Sequence, residues 1–179
     1  CVTKITTRFV KRGAKAVLIA GPSSSGKTTS ANRLATQLRV LGKSPILLSL
    51  DDYYIDRKYI QPDENGEYDF EHLNMIDVPQ FNLDLEALLE GKTVEIPSFD
   101  FATGSRFYNG HFVTLQGDSI LIIEGLHALN PALLTPAIDK RRIFKLYVSA
   151  LQTINLDNHN RIPTTDVRLL RRTVRDYLT

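Results

Sequence analysis

"AVLIAGPSSSGKTTSA", residues 16–31, decides how the rest of the chain is read. Its first five residues are apolar and bounded by a glycine, as expected of a short strand buried on both faces. Gly21, Gly26, Lys27 and Thr28 then fit the spacing G-x-x-x-x-G-K-[ST]. From Thr28 the apolar positions turn helical: Ala31, Leu34, Ala35, Leu38 and Leu41 recur on one face, and Gly42 supplies a stop. A glycine loop between a strand and a helix is the context this spacing needs. The glycines let the backbone curl so that successive N–H groups face inward, and the helix start adds its positive end to the same place. Lys27 can reach terminal phosphates, and the Thr28 hydroxyl can ligate Mg²⁺. The stretch is therefore expected to hold a nucleoside triphosphate.

Outward from this loop, "SPILLSL" (44–50) reads as a second buried strand running into "DDYY", and "GDSILIIEG" (117–125) as the clearest strand of the chain. "RRIFKLYVS" (141–149) gives one more. "NLDLEALLEG" (82–91) reads as a helix closed by Gly91, and "TVEIPSFDF" (93–101) as extended. "PTTDVRLLRRTVRDYL" (163–178) reads as a helix with Pro163 at its start and Thr164 or Thr165 as cap. Residues 55–80 are polar and irregular, with Pro62, Gly66 and Pro79 as punctuation. Buried strands alternating with helices predict an α/β fold of P-loop NTPase type, a mostly parallel sheet with helices on both faces. Ligands of such sheets bind beyond the carboxyl ends of the strands. The glycine loop, Asp51–Asp52 and Glu124 all fall at those ends.

Size and composition narrow the class. A chain of 179 residues, 42% apolar and 23% charged, is one globular domain's worth of sequence, read here as a single domain over 1–179. A net charge of +2 argues against a nucleic-acid partner, and no apolar run approaches the length of a membrane span. Cys1 is the sole cysteine, which leaves neither a disulfide framework nor a zinc site and fits a reducing, cytoplasmic compartment. The abrupt close in "RDYLT" reads as a piece excised from a longer protein.

A phosphate loop serves GTPase switches, ATP-driven motors and small-molecule kinases alike. A guanine-reading "NKxD" is absent, and a motor needs more chain than this. A kinase requires a carboxylate to take the acceptor's hydroxyl proton, another on the metal side, and cations around the moving phosphoryl group. Asp51, Asp52 and Glu124 stand at strand ends where carboxylates can meet these needs. Arg168, Arg171, Arg172 and Arg175 share one face of the last helix, beside an apolar stripe of Val167, Leu170, Val174 and Leu178. Arginines there suit an anionic ligand.

Beyond these readings, "GPSSSGKTT", "LSLDDYY", "EGKTVEIPSFDFATGSR", "ILIIEGLHAL" and "RLLRRTVRD" come in the order and spacing of the uridine kinase and phosphoribulokinase group. The chain resembles the uridine–cytidine kinases most, from Val17 to Asp176. The resemblance implies transfer of the γ-phosphate of ATP or GTP, with Mg²⁺, to the 5′-hydroxyl of a pyrimidine nucleoside. The alternatives are a kinase for another small alcohol, phosphoribulokinase- or pantothenate-kinase-like, and a nucleotide-binding regulatory module without turnover; assembly into homo-oligomers stays open. It implies nucleotide contacts from Gly21, Ser23, Ser24, Ser25, Gly26, Lys27, Thr28, Thr29 and Arg172. Asp51 matches the carboxylate that accepts the hydroxyl proton, with Lys27, Arg168 and Arg171 as its catalytic company. Thr28, Asp51 and Glu124 match the magnesium side. Asp51, Tyr54, Phe70, Glu71, Phe99, Phe101, Arg106 and Arg168 match the acceptor side, with Asp69 as the rival of Glu71 at the ribose.

The chain also departs from that group. Gly104 stands where the relatives carry a base-reading histidine, and Phe99 where they carry a tyrosine. About a dozen extra residues, "LQTINLDNHNRI" (151–162), precede the arginine helix, and the relatives' lid and closing helices beyond it are missing. Loss of two polar readers predicts a site with weak discrimination among nucleosides, or one favouring a bulkier ring in the vacated space.

Overall fold

A computed structural model describes residues 2–60, 72–149, 157 and 162–178. The apolar runs at 16–20, 44–49, 119–124 and 143–147 form one parallel sheet: β1 (Ala16–Ala20), β2 (Ser44–Ser49), β7 (Ser119–Glu124) and β8 (Ile143–Tyr147), in the order β2-β7-β1-β8. The chain opens with α1 (Val2–Lys11); α2 (Lys27–Val40) follows β1, and α3 (Val78–Leu89) and α4 (Thr164–Leu178) come later. Four short strands make two antiparallel ribbons: β3 (Thr93–Glu95) pairs with β6 (Phe112–Thr114), and β4 (Ser98–Asp100) with β5 (Ser105–Phe107).

Period-two alternation splits the core between the two sheet faces. Val17 and Ile19 of β1, with Ile120 and Ile122 of β7, pack against Ala31, Leu34, Ala35 and Leu38 of α2. Phe9 of α1 joins that layer and meets Phe144 of β8 edge to face, with ring centroids 5.9 Å apart. Leu18, Leu121 and Ile123 face the other way, onto Phe81, Leu85 and Leu88 of α3. Helices thus cover both faces. Truncating any of these fully buried leucines would cost about 2–5 kcal/mol, because the cavity collapses only in part.

β2 differs from its reading as a buried strand. Only Leu48 of its six residues is fully buried, because among the described strands β2 pairs with β7 alone and is an edge. Pro45, which cannot donate a ladder hydrogen bond, is tolerated there for that reason. The apolar stripe expected on α4 also differs: Leu170 and Val174 are exposed. No described helix is long and apolar enough to cross a membrane.

Register brings the site together. Glu124 pairs with Ile19 on one side and Ser49 on the other. One row beyond lie the glycine loop after β1 and the 3-10 turn Leu50–Tyr53 after β2.

Candidate active site at the carboxyl ends of the strands

The loop between β1 and α2 owes its shape to its glycines. Gly26 has φ +93, a left-handed conformation in which a side chain would be strained. Being glycine, it also places no capping side chain over the first N–H groups of α2. A β-carbon at Gly21 would overlap the Val148 carbonyl oxygen and come within 2.8 Å of Ser25 Oγ, so the loop packs tightly under the end of β8. Ser24, at φ +58, is bent the same way as Gly26. The Oγ atoms of Ser24 and Ser25 are buried without a hydrogen-bond partner. Buried hydroxyls of that kind need a ligand, and phosphate oxygens fit them.

Ser23, Ser24, Gly26, Lys27, Thr28, Thr29, Asp51, Glu124 and Arg171 line one cleft of about 370 Å³. Lys27 Nζ arches back to donate to the Pro22 carbonyl at 3.3 Å. The Thr28 hydroxyl donates to Glu124 Oε1 at 2.8 Å. Burial and the neighbouring Glu124 push the Asp51 carboxyl up from the ordinary 3.8 to about 6, against the opposing pull of Lys27. Two carboxylates and a hydroxyl at the mouth of a phosphate cradle suit Mg²⁺, which takes one or two carboxylates and completes its shell with water and phosphate. The mutual repulsion of Asp51 and Glu124 is what a cation would relieve.

α4 docks on the loop through its arginines. Arg168 Nε donates to the Ser23 carbonyl at 3.2 Å, and an Arg171 terminal nitrogen lies 3.8 Å from where a β-carbon on Gly26 would sit. Arg172 is exposed and does not line the cleft. The side chain of Arg175 lies outside the described ones, as do Asp69, Phe70 and Glu71, so the ribose-side expectation falls on residues the structure does not describe.

A second pocket adjoins the first through the 3-10 turn. Asp51 lines the phosphate cleft, and Tyr54, three residues on, lines an apolar pocket of about 80 Å³ with Ile55, Arg57, Ile60, Phe99 and Phe101. The rings of Tyr54 and Phe99 are 5.5 Å apart, and those of Phe99 and Phe101 5.1 Å. Asp52 accepts the Phe99 N–H, which ties the turn to β4; burial nevertheless holds its carboxyl above the ordinary range.

The vacated space expected at Gly104 is not vacant, which corrects the reading of that position. Gly104 has φ +67, and a β-carbon there would overlap Arg57 Cδ and lie 2.7 Å from its Cγ. Arg57 N–H also donates to the Gly104 carbonyl at 2.9 Å. Gly104 is a glycine because its backbone is left-handed and because Arg57 crosses it. Arg106, expected at the acceptor, lines neither of the two pockets. Its guanidinium pairs with Asp77 at 2.9 Å, and its N–H donates to Asp56 Oδ1 at 2.7 Å. Asp77 also caps α3 by accepting the Gln80 N–H. Arg106 thus joins the start of α3 to the Arg57 turn.

Two further residues stand at the site. His127 lies near enough to Asp51 to favour its charged form, and Arg57 closes the aromatic pocket. "EGLHAL" held a signal for the first, a histidine three positions after Glu124. Nothing local marked Arg57, whose role depends on a glycine far along the chain.

The family described as Phosphoribulokinase / Uridine kinase matches residues 16–178. A uridine kinase of Staphylococcus aureus strain JH9 is 33% identical over 158 residues, which are 88% of this chain and 66% of the relative. The chain thus spans just under two thirds of that relative's length. Among solved structures, a chain from Silicibacter sp. TM1040 described as a candidate fructose transport system kinase superposes with a TM-score of 0.68 at 20% identity, covering 100% of this chain and 84% of its own. A possible uridine kinase from Bacillus stearothermophilus superposes at 0.64 with 24% identity, covering 97% and 93%. At such identities the two structures show the fold alone.

Proposed function

The chain belongs to the phosphoribulokinase and uridine kinase family, and from that premise we propose that it is a single kinase domain. In this reading it transfers the γ-phosphoryl group of ATP or GTP to a hydroxyl of a nucleoside. The observation that carries the proposal is Asp51: a half-buried carboxyl pushed up to about 6, in one cleft with Lys27, Thr28 and Glu124.

A general base works best when its pKa lies near the working pH. Asp51 meets that condition and takes the hydroxyl proton as the acceptor oxygen attacks the γ-phosphorus, whose bond to the bridging oxygen breaks and releases ADP or GDP. The N–H groups of the glycine loop and the hydroxyls of Ser24 and Ser25 hold the phosphates. Lys27, Arg168 and Arg171 neutralise charge as it spreads over the transferring group, with Arg172 further along the same helix. Thr28, Glu124 and Asp51 would hold Mg²⁺, which would supply charge neutralisation for the phosphates.

The nucleoside is supported by the spacing of the two pockets. Asp51 lines one and Tyr54, three residues on, lines the other, which suits an acceptor with a hydroxyl at one end and a flat ring at the other. Tyr54, Phe99 and Phe101 offer the ring an aromatic wall, and stacking on such walls favours planar partners.

The test is phosphoryl transfer from Mg²⁺–ATP and Mg²⁺–GTP to uridine, cytidine, adenosine, inosine and a ringless sugar phosphate, read as new phosphate ester. Ester on nucleosides alone is expected. Ester on the sugar phosphate alone refutes the nucleoside, and ester on none refutes the transfer.

A further inference from the structure

The 3-10 turn that carries Asp51 is held from behind. Residues i and i+3 of such a turn eclipse one another, so Leu50 and Tyr53 share a face, and both are buried. Asp51, between them in sequence, lines the phosphate cleft. Leu50 packs so closely behind Glu124 that a β-carbon on Gly125 would fall 2.6 Å from its own. At the other end of the turn the Tyr53 hydroxyl donates to Asp84 Oδ2 of α3 at 3.1 Å. The Gln80 side-chain amide donates to Asp84 Oδ1 at 2.8 Å. We propose that Tyr53 and Asp84 are positioning residues for Asp51, a latch that fixes its turn against α3; this rests on the base role proposed above.

Asp84 is buried, and a buried carboxylate costs free energy unless its oxygens are bonded. Burial holds its carboxyl above the ordinary range, while the bonds from Gln80 and Tyr53 favour the charged form. Arg106 acts on it in the same sense as those bonds, and Asp77 in the opposite one. Burial and Asp84 together push the Tyr53 hydroxyl up, so it stays a proton donor. An apolar side chain at 84 would fill the space without these demands; a carboxylate there supplies a directional contact. The Tyr53 ring also meets Phe81 edge to face, with centroids 5.3 Å apart, but ring packing tolerates sliding. A hydrogen bond does not, because it weakens steeply as its angle opens. Backbone bonds from the Asp77 N–H to the Tyr53 carbonyl, and from the Ile55 N–H to the Met75 carbonyl, tie the chain leaving the turn. The hydroxyl ties the turn's buried face. That sets the rotation of the turn about its own axis, and with it the distance of Asp51 from the phosphates.

The experiment measures kcat, the KM for ATP and urea unfolding, with the nucleoside that wild type phosphorylates fastest as acceptor. Tyr53→Phe removes one oxygen and keeps the ring in the core. Asp84→Leu fills the site without an acceptor, whereas Asp84→Asn keeps an acceptor oxygen for the Tyr53 hydroxyl. Tyr53→Phe and Asp84→Leu should each lower kcat about 10–100-fold, the scale of a misplaced reacting group, with the KM for ATP within about twofold. Asp84→Asn should stay within about threefold of wild type. The double variant Tyr53→Phe/Asp84→Leu leaves no orphaned partner, so its stability should recover toward wild type. Its kcat should stay as low as that of either single variant, since one bond is lost in all three. A kcat that recovers along with stability shows a merely structural contact and overturns the latch. So do single variants that keep wild-type kcat, losses that multiply in the double variant, and an Asp84→Asn as slow as Asp84→Leu. Tyr53→Phe alone decides the matter if Asp84→Leu does not fold. In all of these results an inactive Asp51→Asn leaves the base role standing; an Asp51→Asn with wild-type kcat, or a wild type that phosphorylates no nucleoside, overturns both readings.

Discussion

The phosphate cleft and the aromatic pocket share one short turn, Asp51 to Tyr54, yet they are built by different means. The cleft is made of backbone. Its shape follows from two glycines, one left-handed serine and a helix start, all within eight residues, and its carboxylates come from the end of β7 and from the turn that follows its neighbour β2. The pocket is made of side chains on a turn and a two-stranded ribbon, joined by the contact of Arg57 with Gly104 across 47 residues. A backbone cradle tolerates little change at its glycines and little variation in what it binds. A side-chain pocket on a short ribbon can be refitted by one substitution. On the proposed function, phosphoryl chemistry belongs to the first region and choice of acceptor to the second.

Replacing Lys27 by Ala should break the contrast most completely. It removes the cation beside the β- and γ-phosphates, and turnover should fall by ~10³-fold or more for every acceptor. Acceptor-dependent losses in steady-state rates would show that the cleft also discriminates.

Asp51→Asn should lower kcat by ~10²–10⁴-fold with little change in ATP affinity. The same change should stabilise the fold. Asp51 releases its proton near pH 6 in the folded chain and near 3.8 when unfolded, so the folded state binds more protons between these values. Stability from this group is present below about pH 4 and is lost as pH rises through 6. At pH 7 asparagine removes a charge buried at a cost, and thermal or urea unfolding should show a gain of about 1–3 kcal/mol. An inactive variant that is also less stable would argue against a base held under strain.

The pH profile sharpens the comparison further. Since Asp51 must be unprotonated to accept the hydroxyl proton, kcat/KM should fall about tenfold per unit below an apparent pKa near 6. The break in kcat should lie lower, because bound Mg²⁺ favours the carboxylate. A flat profile between pH 5 and 7 would remove Asp51 from the role.

Arg106→Gln carries the smallest effect. It breaks the half-buried pair with Asp77 and should cost about 1–2 kcal/mol in unfolding experiments. Turnover with saturating ATP should stay within about threefold, while acceptor KM rises modestly as the Arg57 turn loosens. A collapse of kcat would show that Arg106 reaches the acceptor itself.

Much of this was legible in residue order, and the exceptions share a cause. The strand–glycine loop–helix unit, the four sheet strands and the last helix follow from local pattern, whereas α3 starts at Val78, four residues before the expected 82, because Asp77 caps it and Pro79 sits in its first turn rather than interrupting irregular chain. α1 has no counterpart in the sequence reading, although Val2, Ile5, Phe9 and Val10 recur at helical spacing; in the structure Phe9 joins the layer of Phe144 and α2. The edge position of β2 was not visible either, since an apolar run reads the same whether one neighbour or two will pair with it. At Gly104 the absence of a side chain leaves no empty space, because the Arg57 stem occupies it.

The sequence by itself determined the phosphate cradle, the parallel sheet and the family, because each rests on local backbone preferences and on residue types at fixed short spacing. Tertiary structure alone decided that Glu124 stands between Ile19 and Ser49, that burial beside it raises the Asp51 carboxyl, and that Arg57 fills the place of a residue at 104. Those facts depend on which distant segments meet, and on the desolvation and steric exclusion that follow only once they have met.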